Sequence, residues 1–284
     1  MRSEHAVGWA GDSHHPGPLV VELLGTPGSG KTTLATWIVE ALREHGVRAS
    51  NIVEAARPRA RRTPPGRIVG RVARGRVAEA LLWRLFYVTS SLEAVAFAFE
   101  RPALTGRVVQ RQRTRPISAA MKRHTLYWWM QLAGRYRFLT HGHRACDVLV
   151  LDDGFLHRSV ALHASHLEEP DPAAVWSYVD AIPAPDLVIR PVADREVCER
   201  RVHARGIWRH SRSLNDEQIA GTLRSAERAV ELAVQRARAR GWKVLEIDNG
   251  DRDLELVRRD VRDAVVAAFV GGATGPELDP VVTP

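Results

Sequence analysis

A strand, a glycine-rich turn and a helix near the N-terminus limit the folds open to this chain. Leu19 to Leu24 (LVVELL) is a short apolar run bounded by Pro18 and Gly25, the pattern of a buried strand. Thr32 to His45 follows with helical spacing at Leu34, Ile38 and Leu42, closed by Gly46 in the position after the C-cap. Between them Gly25-Thr26-Pro27-Gly28-Ser29-Gly30-Lys31-Thr32 fits G-x-x-x-x-G-K-[ST], and Thr33 follows. A strand before this motif and a helix after it are the context that gives it meaning.

Each residue type in the turn has a chemical reason. Gly25, Gly28 and Gly30 permit backbone angles and close approaches that a Cβ would block. Successive N–H groups, with Pro27 and Ser29 in the run, then line a concave nest for a phosphate. The helix opening at Lys31 adds its positive end. Lys31 is placed to contact β- and γ-oxygens, and the Thr32 hydroxyl to ligate Mg²⁺. Gly25, Pro27, Gly28, Ser29, Gly30, Lys31, Thr32 and Thr33 are therefore the candidate nucleotide contacts.

Further strands are expected at Val47 to Val53, Val148 to Leu151, Asp186 to Arg190 and Lys243 to Ile247. Helices are expected from Asp194 to about Arg205, from about Asp216 to Arg240, and from about Arg252 to Phe269. Arg57 to Arg76, rich in Arg, Pro and Gly, reads as an exposed loop. From about Val77 to His143 the pattern is helical and aromatic, an insertion of two or three helices broken near Pro102 and Pro116. Strands alternating with helices predict a parallel sheet with helices on both faces. The expected layout is a tail over 1–17, one domain over 18–269 and a second tail over 270–284.

The third expected strand ends Leu151-Asp152-Asp153-Gly154. Ligands gather at the carboxyl ends of parallel strands, so this acidic pair points at the phosphate site. Asp152 is placed to hold Mg²⁺, and Asp153 to take or orient the acceptor's proton. The two need not both act, because neighbours on a strand point to opposite faces, and which is base and which metal ligand is left open. Arg200, Arg201, Arg205, Arg209 and Arg212 cluster after the fourth strand, with Gly206 as a hinge, which suggests a lid over 200–214. Arg205, Arg209 and Arg212 are the candidates for stabilising charge on a transferring phosphoryl group.

Three segments, with the phosphate loop GTPGSGKTT, carry a family resemblance: LDDGFLHRS, PDLVIRPVADREVCERRVHARG and KVLEIDNGD. The chain resembles P-loop nucleoside and nucleotide kinases, nearest the thymidylate-kinase group, over its first and last thirds. The resemblance implies a three-layer P-loop NTPase fold with a five-stranded parallel sheet of order 2-3-1-4-5, a helical insertion and a lid. It implies ATP as donor with Mg²⁺, Arg201 or Arg205 near the adenine or γ-phosphate, and Asn249 in the turn beside the base. Thymidylate kinases carry Asp-Arg-Tyr where this chain has Asp152-Asp153-Gly154. The helical middle matches no acceptor pocket, and Arg57, Arg135 and Arg137 are acceptor-phosphate candidates by position alone.

The expected acceptor is a small molecule, anionic or neutral: a nucleoside, a nucleotide, or a hydroxylated metabolite or antibiotic. A regulatory ATPase using the same loop is the alternative; N-K-x-D and L-S-G-G-Q motifs are absent from the sequence. Nucleic-acid binding through Arg57 to Arg76 is disfavoured, because that run lacks aromatics for stacking. The net charge of +8 rests on arginine, the lysines being Lys31, Lys122 and Lys243, and fits polyanionic nucleotides. Two cysteines and an N-terminus without an apolar core suggest a cytoplasmic protein without a membrane span. A homodimer is left open.

Overall fold

The computed structural model describes residues 17–141, 145–205 and 215–269. Five strands form one all-parallel sheet in the order β2-β3-β1-β4-β5. They are β1 (Leu19–Leu23), β2 (Ala49–Asn51), β3 (Val148–Leu151), β4 (Leu187–Val192) and β5 (Val244–Asp248). β1 lies at the centre, with Val21 opposite Val150 on one side and Leu187 on the other. Helices cover both faces: α1 (Lys31–Glu44) and α11 (Leu254–Phe269) on one, α7 (Phe155–His163), α8 (Pro172–Ala181) and α10 (Asp216–Ala239) on the other. α9 (Arg195–Arg205) follows β4. This is the three-layer order expected from the sequence.

The segment from Arg57 to Arg76 is helical, which corrects its reading as a loop. Asn51 ends the short β2 and caps α2 (Ile52–Arg62) by accepting from the Glu54 N–H. Thr63 caps α3 (Pro64–Val72) in the same way, accepting from Gly66 N, with Pro64 in the first helical position. Proline there loses no hydrogen bond, so the residues that look like loop punctuation mark a helix start. Ala55, Ala56 and Ala60 anchor α2 in the core, although Pro58 interrupts its ladder.

The insertion is three helices, α4 (Gly75–Glu100), α5 (Pro102–Thr114) and α6 (Ala119–Thr140), broken at Pro102 and Pro116 as expected. Aromatic contacts bind it to the sheet domain. Phe97 stacks on Phe155 at 5.3 Å, and Trp129 donates to the Tyr178 hydroxyl, which donates to the Phe155 carbonyl. α4 and α6 lie in close contact at Gly134, where a Cβ would lie 1.8 Å from the Ser90 carbonyl oxygen. By length and composition α4 is the one helix among the described residues that could cross a membrane; Arg84 and Glu93 interrupt its apolar run. Its buried face, including Leu82, Phe86 and Phe97, packs inside this fold.

Gly134→Val should force α4 and α6 apart. Overpacking of this kind costs about 1–3 kcal/mol, so the thermal midpoint should fall by several degrees in a calorimetric scan. An unchanged midpoint would mean that the helices separate freely.

Candidate functional site

The chain leaves β1 and β3 at the same edge of the sheet, and this brings the phosphate loop beside the acidic pair. Gly28 and Gly30 have φ of 87° and 92°, a region that side chains disfavour. A Cβ would lie 2.4 Å from the Cys198 carbonyl at Gly28 and 2.1 Å from Asn249 Nδ2 at Gly30. The loop is therefore clamped from behind. Asn249, buried in the turn after β5, donates to the Ser29 carbonyl at 2.6 Å. Arg201 on α9 donates to the carbonyls of Asn249 and Gly250 at 2.8 and 2.9 Å. The Asn249 side chain thus acts on the back of the loop.

Lys31 opens α1 and donates to the carbonyls of Gly25 and Thr26 at 2.8 and 2.9 Å. Burial lowers its pKa to about 8, opposed by the nearby charge of Asp153. The Thr32 hydroxyl donates to Asp152 Oδ2 at 3.3 Å. These are two hard oxygen donors side by side at the mouth of the nest, the set that Mg²⁺ takes while keeping several waters. Nest, lysine and oxygen pair together fit a magnesium–triphosphate group.

Both aspartates follow the last strand residue, in a turn, so the strand rule that would send them to opposite faces does not apply. Both line one cleft of about 820 Å³. Asp153 pairs with Arg158 of α7 at 2.5 Å. Burial raises the Asp153 pKa and Arg158 lowers it.

From the phosphate loop the cleft runs past the aspartates to α7, to the α5–α6 turn and to α10. Met121, Thr125 and Trp128 of α6 form one wall, and His157 and Ala161 of α7 another. Arg115 closes the far end. Its guanidinium donates to the carbonyls of Ala161 and Ala164 at 2.7 and 2.6 Å, tying the α5–α6 turn to the C-terminal end of α7. Desolvation lowers its pKa to about 10. Burial holds His157 neutral, its pKa far below the ordinary value.

The arginines suggested for an acceptor phosphate lie elsewhere. Arg57 pairs with Glu79, Arg137 bridges Glu93 and Glu100, and Arg135 lies over the rings of Phe86 and Tyr87. All three face neighbouring helices of the insertion, where acidic or aromatic partners engage them, although the buried Arg135 Nε has no hydrogen-bond partner. Arg201 and Arg205 line the cleft beside the phosphate loop, with Pro27, Gly28, Gly30, Lys31, Thr32 and Thr33. Gly25 and Ser29 lie just behind them, and Ser29 is fully buried. Of the expected lid over 200–214, residues 206–214 with Gly206, Arg209 and Arg212 lie outside the described residues, as do 1–16 of the expected tail over 1–17 and the expected tail over 270–284.

Glu22 was not singled out by the sequence reading. It sits in mid-β1, 1% exposed, and accepts from the His157 N–H at 3.0 Å. Desolvation, the largest influence, raises its pKa from 4.5 to about 8, against the N–H groups of His157 and Leu156. A Cβ at Gly154 would lie 2.4 Å from the Glu22 carboxyl carbon, which explains a glycine after the acidic pair. Glu22 thereby fixes the start of α7 behind Asp153. The only available signal was a carboxylate inside an apolar run.

No protein-family model matches the chain, and no curated protein does. Among solved structures, the chain is similar to deoxyadenosine kinase from M. mycoides with bound dCTP, at 12% identity and a TM-score of 0.36. The same enzyme with products dCMP and a flexible dCDP gives 13% and 0.39. Each alignment covers 88% of this chain and 100% of that one. The sheet order and the strand–loop–helix of residues 19–44 make this chain, on its own topology, a P-loop fold.

Because Glu22 has a folded pKa near 8 and an unfolded value near 4.5, the folded state holds its proton more tightly. Its stabilising contribution is full below pH 4.5 and is lost as pH rises through 8. Glu22→Gln, which keeps the acceptor for His157 N–H, should flatten the loss of thermal stability between pH 5 and 9. Parallel pH slopes for the two proteins would show that Glu22 titrates normally.

Proposed function

We propose that this protein is an ATP- and Mg²⁺-dependent phosphotransferase that moves the γ-phosphoryl group onto a hydroxyl of a small molecule held between α6 and α7. One observation carries the reading: Thr32 and Asp152 meet 3.3 Å apart at the mouth of the phosphate loop, in the same cleft as Asp153. A nucleotide-binding loop alone would fit a regulatory ATPase. A cleft that continues past the loop for the length of α7 supports a second substrate.

In this reading the loop's N–H groups and Lys31 hold the β- and γ-phosphates and offset charge there. Thr32 and Asp152 hold Mg²⁺, which neutralises developing charge on the phosphate oxygens. Asp153, oriented by Arg158, takes the proton from the acceptor hydroxyl. Arg205 stands beside Lys31 at the donor end, where its like positive charge adds to burial in lowering the Lys31 pKa. Arg209 and Arg212 remain candidates for the same task, on a lid that would close to exclude water. Arg201 and Asn249 keep the loop in shape from behind, and Arg201 also borders the donor end of the cleft. The whole unit over 18–269 acts as one domain. The cytoplasm is its proposed location.

Lys31→Ala should lower transfer by several orders of magnitude in an ATP-consumption assay with a panel of hydroxylated acceptors. A folded variant with near-normal turnover would end the phosphate-loop assignment. Asp152→Asn should raise the Mg²⁺ concentration needed for half-maximal activity by tenfold or more while the thermal midpoint stays within a few degrees. Lost stability with an unaltered Mg²⁺ titration would make Asp152 structural instead.

A further inference from the structure

Between Glu54 and Glu79 the chain holds eight arginines and no carboxylate, and the phosphotransfer site uses none of them. Several are engaged within the protein. Arg57 pairs with Glu79, and Arg59 donates to the carbonyls of Phe138 and His141 at 3.0 and 2.7 Å. Arg61, Arg71, Arg74 and Arg76 are exposed and have no ion-pair partner among the described residues.

α3 carries the centre of this stretch on the outside of the fold. Two residues hold it there: Gly66, where a Cβ would lie 1.9 Å from the Ala60 carbonyl oxygen, and the partly buried Val69. Ile68 and Val72, at i and i+4 on one open face, are 58% and 76% exposed. Val77, in the first turn of α4, is 63% exposed. Arg67 and Arg71 form the neighbouring stripe, about 100° round the helix. An aliphatic stripe beside an arginine stripe suits a helix lying in the plane of a lipid surface. The aliphatic side chains enter the acyl boundary, and the guanidinium groups reach out to the headgroups.

We propose that α3 and the start of α4 dock this protein on an anionic lipid surface. Charge complementarity selects the occupant. Each arginine near an anionic leaflet strengthens binding by roughly fivefold, and four together by on the order of several hundredfold. Three aliphatic side chains are too few to hold a protein on lipid alone, so the two stripes act jointly. A nucleic acid would attract the arginines but leave Ile68, Val72 and Val77 in water, and the stretch has no aromatic for base stacking. The docking does not rest on the phosphotransfer reading.

Vesicles of phosphatidylglycerol and phosphatidylcholine in equal parts should pellet the full chain, and vesicles of phosphatidylcholine alone should not. Raising the salt from about 0.05 to 0.5 M should weaken the binding by tenfold or more. Ile68→Gln with Val72→Gln leaves the charge unaltered and should also weaken it by tenfold or more. Arg71→Gln with Arg74→Gln and Arg76→Gln should do the same. Both variants alter exposed side chains, so circular dichroism and the thermal midpoint should stay as in the wild type. A wild-type chain left in the supernatant with both kinds of vesicle would overturn the proposal. So would pelleting that survives both sets of changes. Binding that the arginine changes abolish and the Ile68→Gln, Val72→Gln pair leaves intact would also overturn it, and equal behaviour with a single-stranded oligonucleotide would then give the arginines to nucleic acid. No step of the test uses nucleotide, so its outcome is separate from that of the transfer assay.

Discussion

Two hydrogen-bonded ladders run up the sides of β1, and everything chemical in this molecule depends on their register. Val21 is level with Val150 of β3 and with Leu187 of β4, so the three central strands reach the same edge together. The phosphate loop and the acidic turn leave that edge side by side. The site is a by-product of parallel pairing. A slip of two residues in β3 would keep the buried face of the strand but move Asp152 by roughly 7 Å, out of reach of Thr32.

The second half of the cleft depends on packing of a different kind. The insertion reaches the sheet domain through Phe97, Trp129, Phe155 and Tyr178, whose rings and two hydrogen bonds form one rigid joint. Arg115 adds a polar tie between the α5–α6 turn and α7. A buried arginine is costly to desolvate unless it is hydrogen-bonded, and the Ala161 and Ala164 carbonyls offset part of that cost here. The wall of the cleft is thus fixed at the end far from the nucleotide loop as well as at the near end.

Much of this was legible in the sequence where one local pattern decides the outcome. The apolar runs at Leu19 and Val148, the helix closed by Gly46 and the breaks at Pro102 and Pro116 are such cases. Readings failed where meaning depends on context. Pro64 begins a helix because Thr63 caps it, and in isolation the same residues suggest a loop. α7 and α8 were not anticipated, since 155–181 holds two short helices without a long amphipathic repeat. Arg135 and Arg137 looked available until α4 supplied their partners. Glu22 could not be understood before α7, 135 residues away, was seen to rest on it.

The clamp behind the phosphate loop has a consequence for how the protein is made. Ser29 and Asn249 lie 220 residues apart in sequence, and their hydrogen bond fixes the loop from the rear. A ribosome releases the glycine-rich turn 220 residues before the residue that braces it. During most of synthesis the loop has its glycines and its lysine but no back wall, and glycine-rich backbone without support samples many shapes. The loop therefore reaches its braced geometry only once β5 has docked, so a growing chain does not present a finished phosphate nest before the cleft beside it exists.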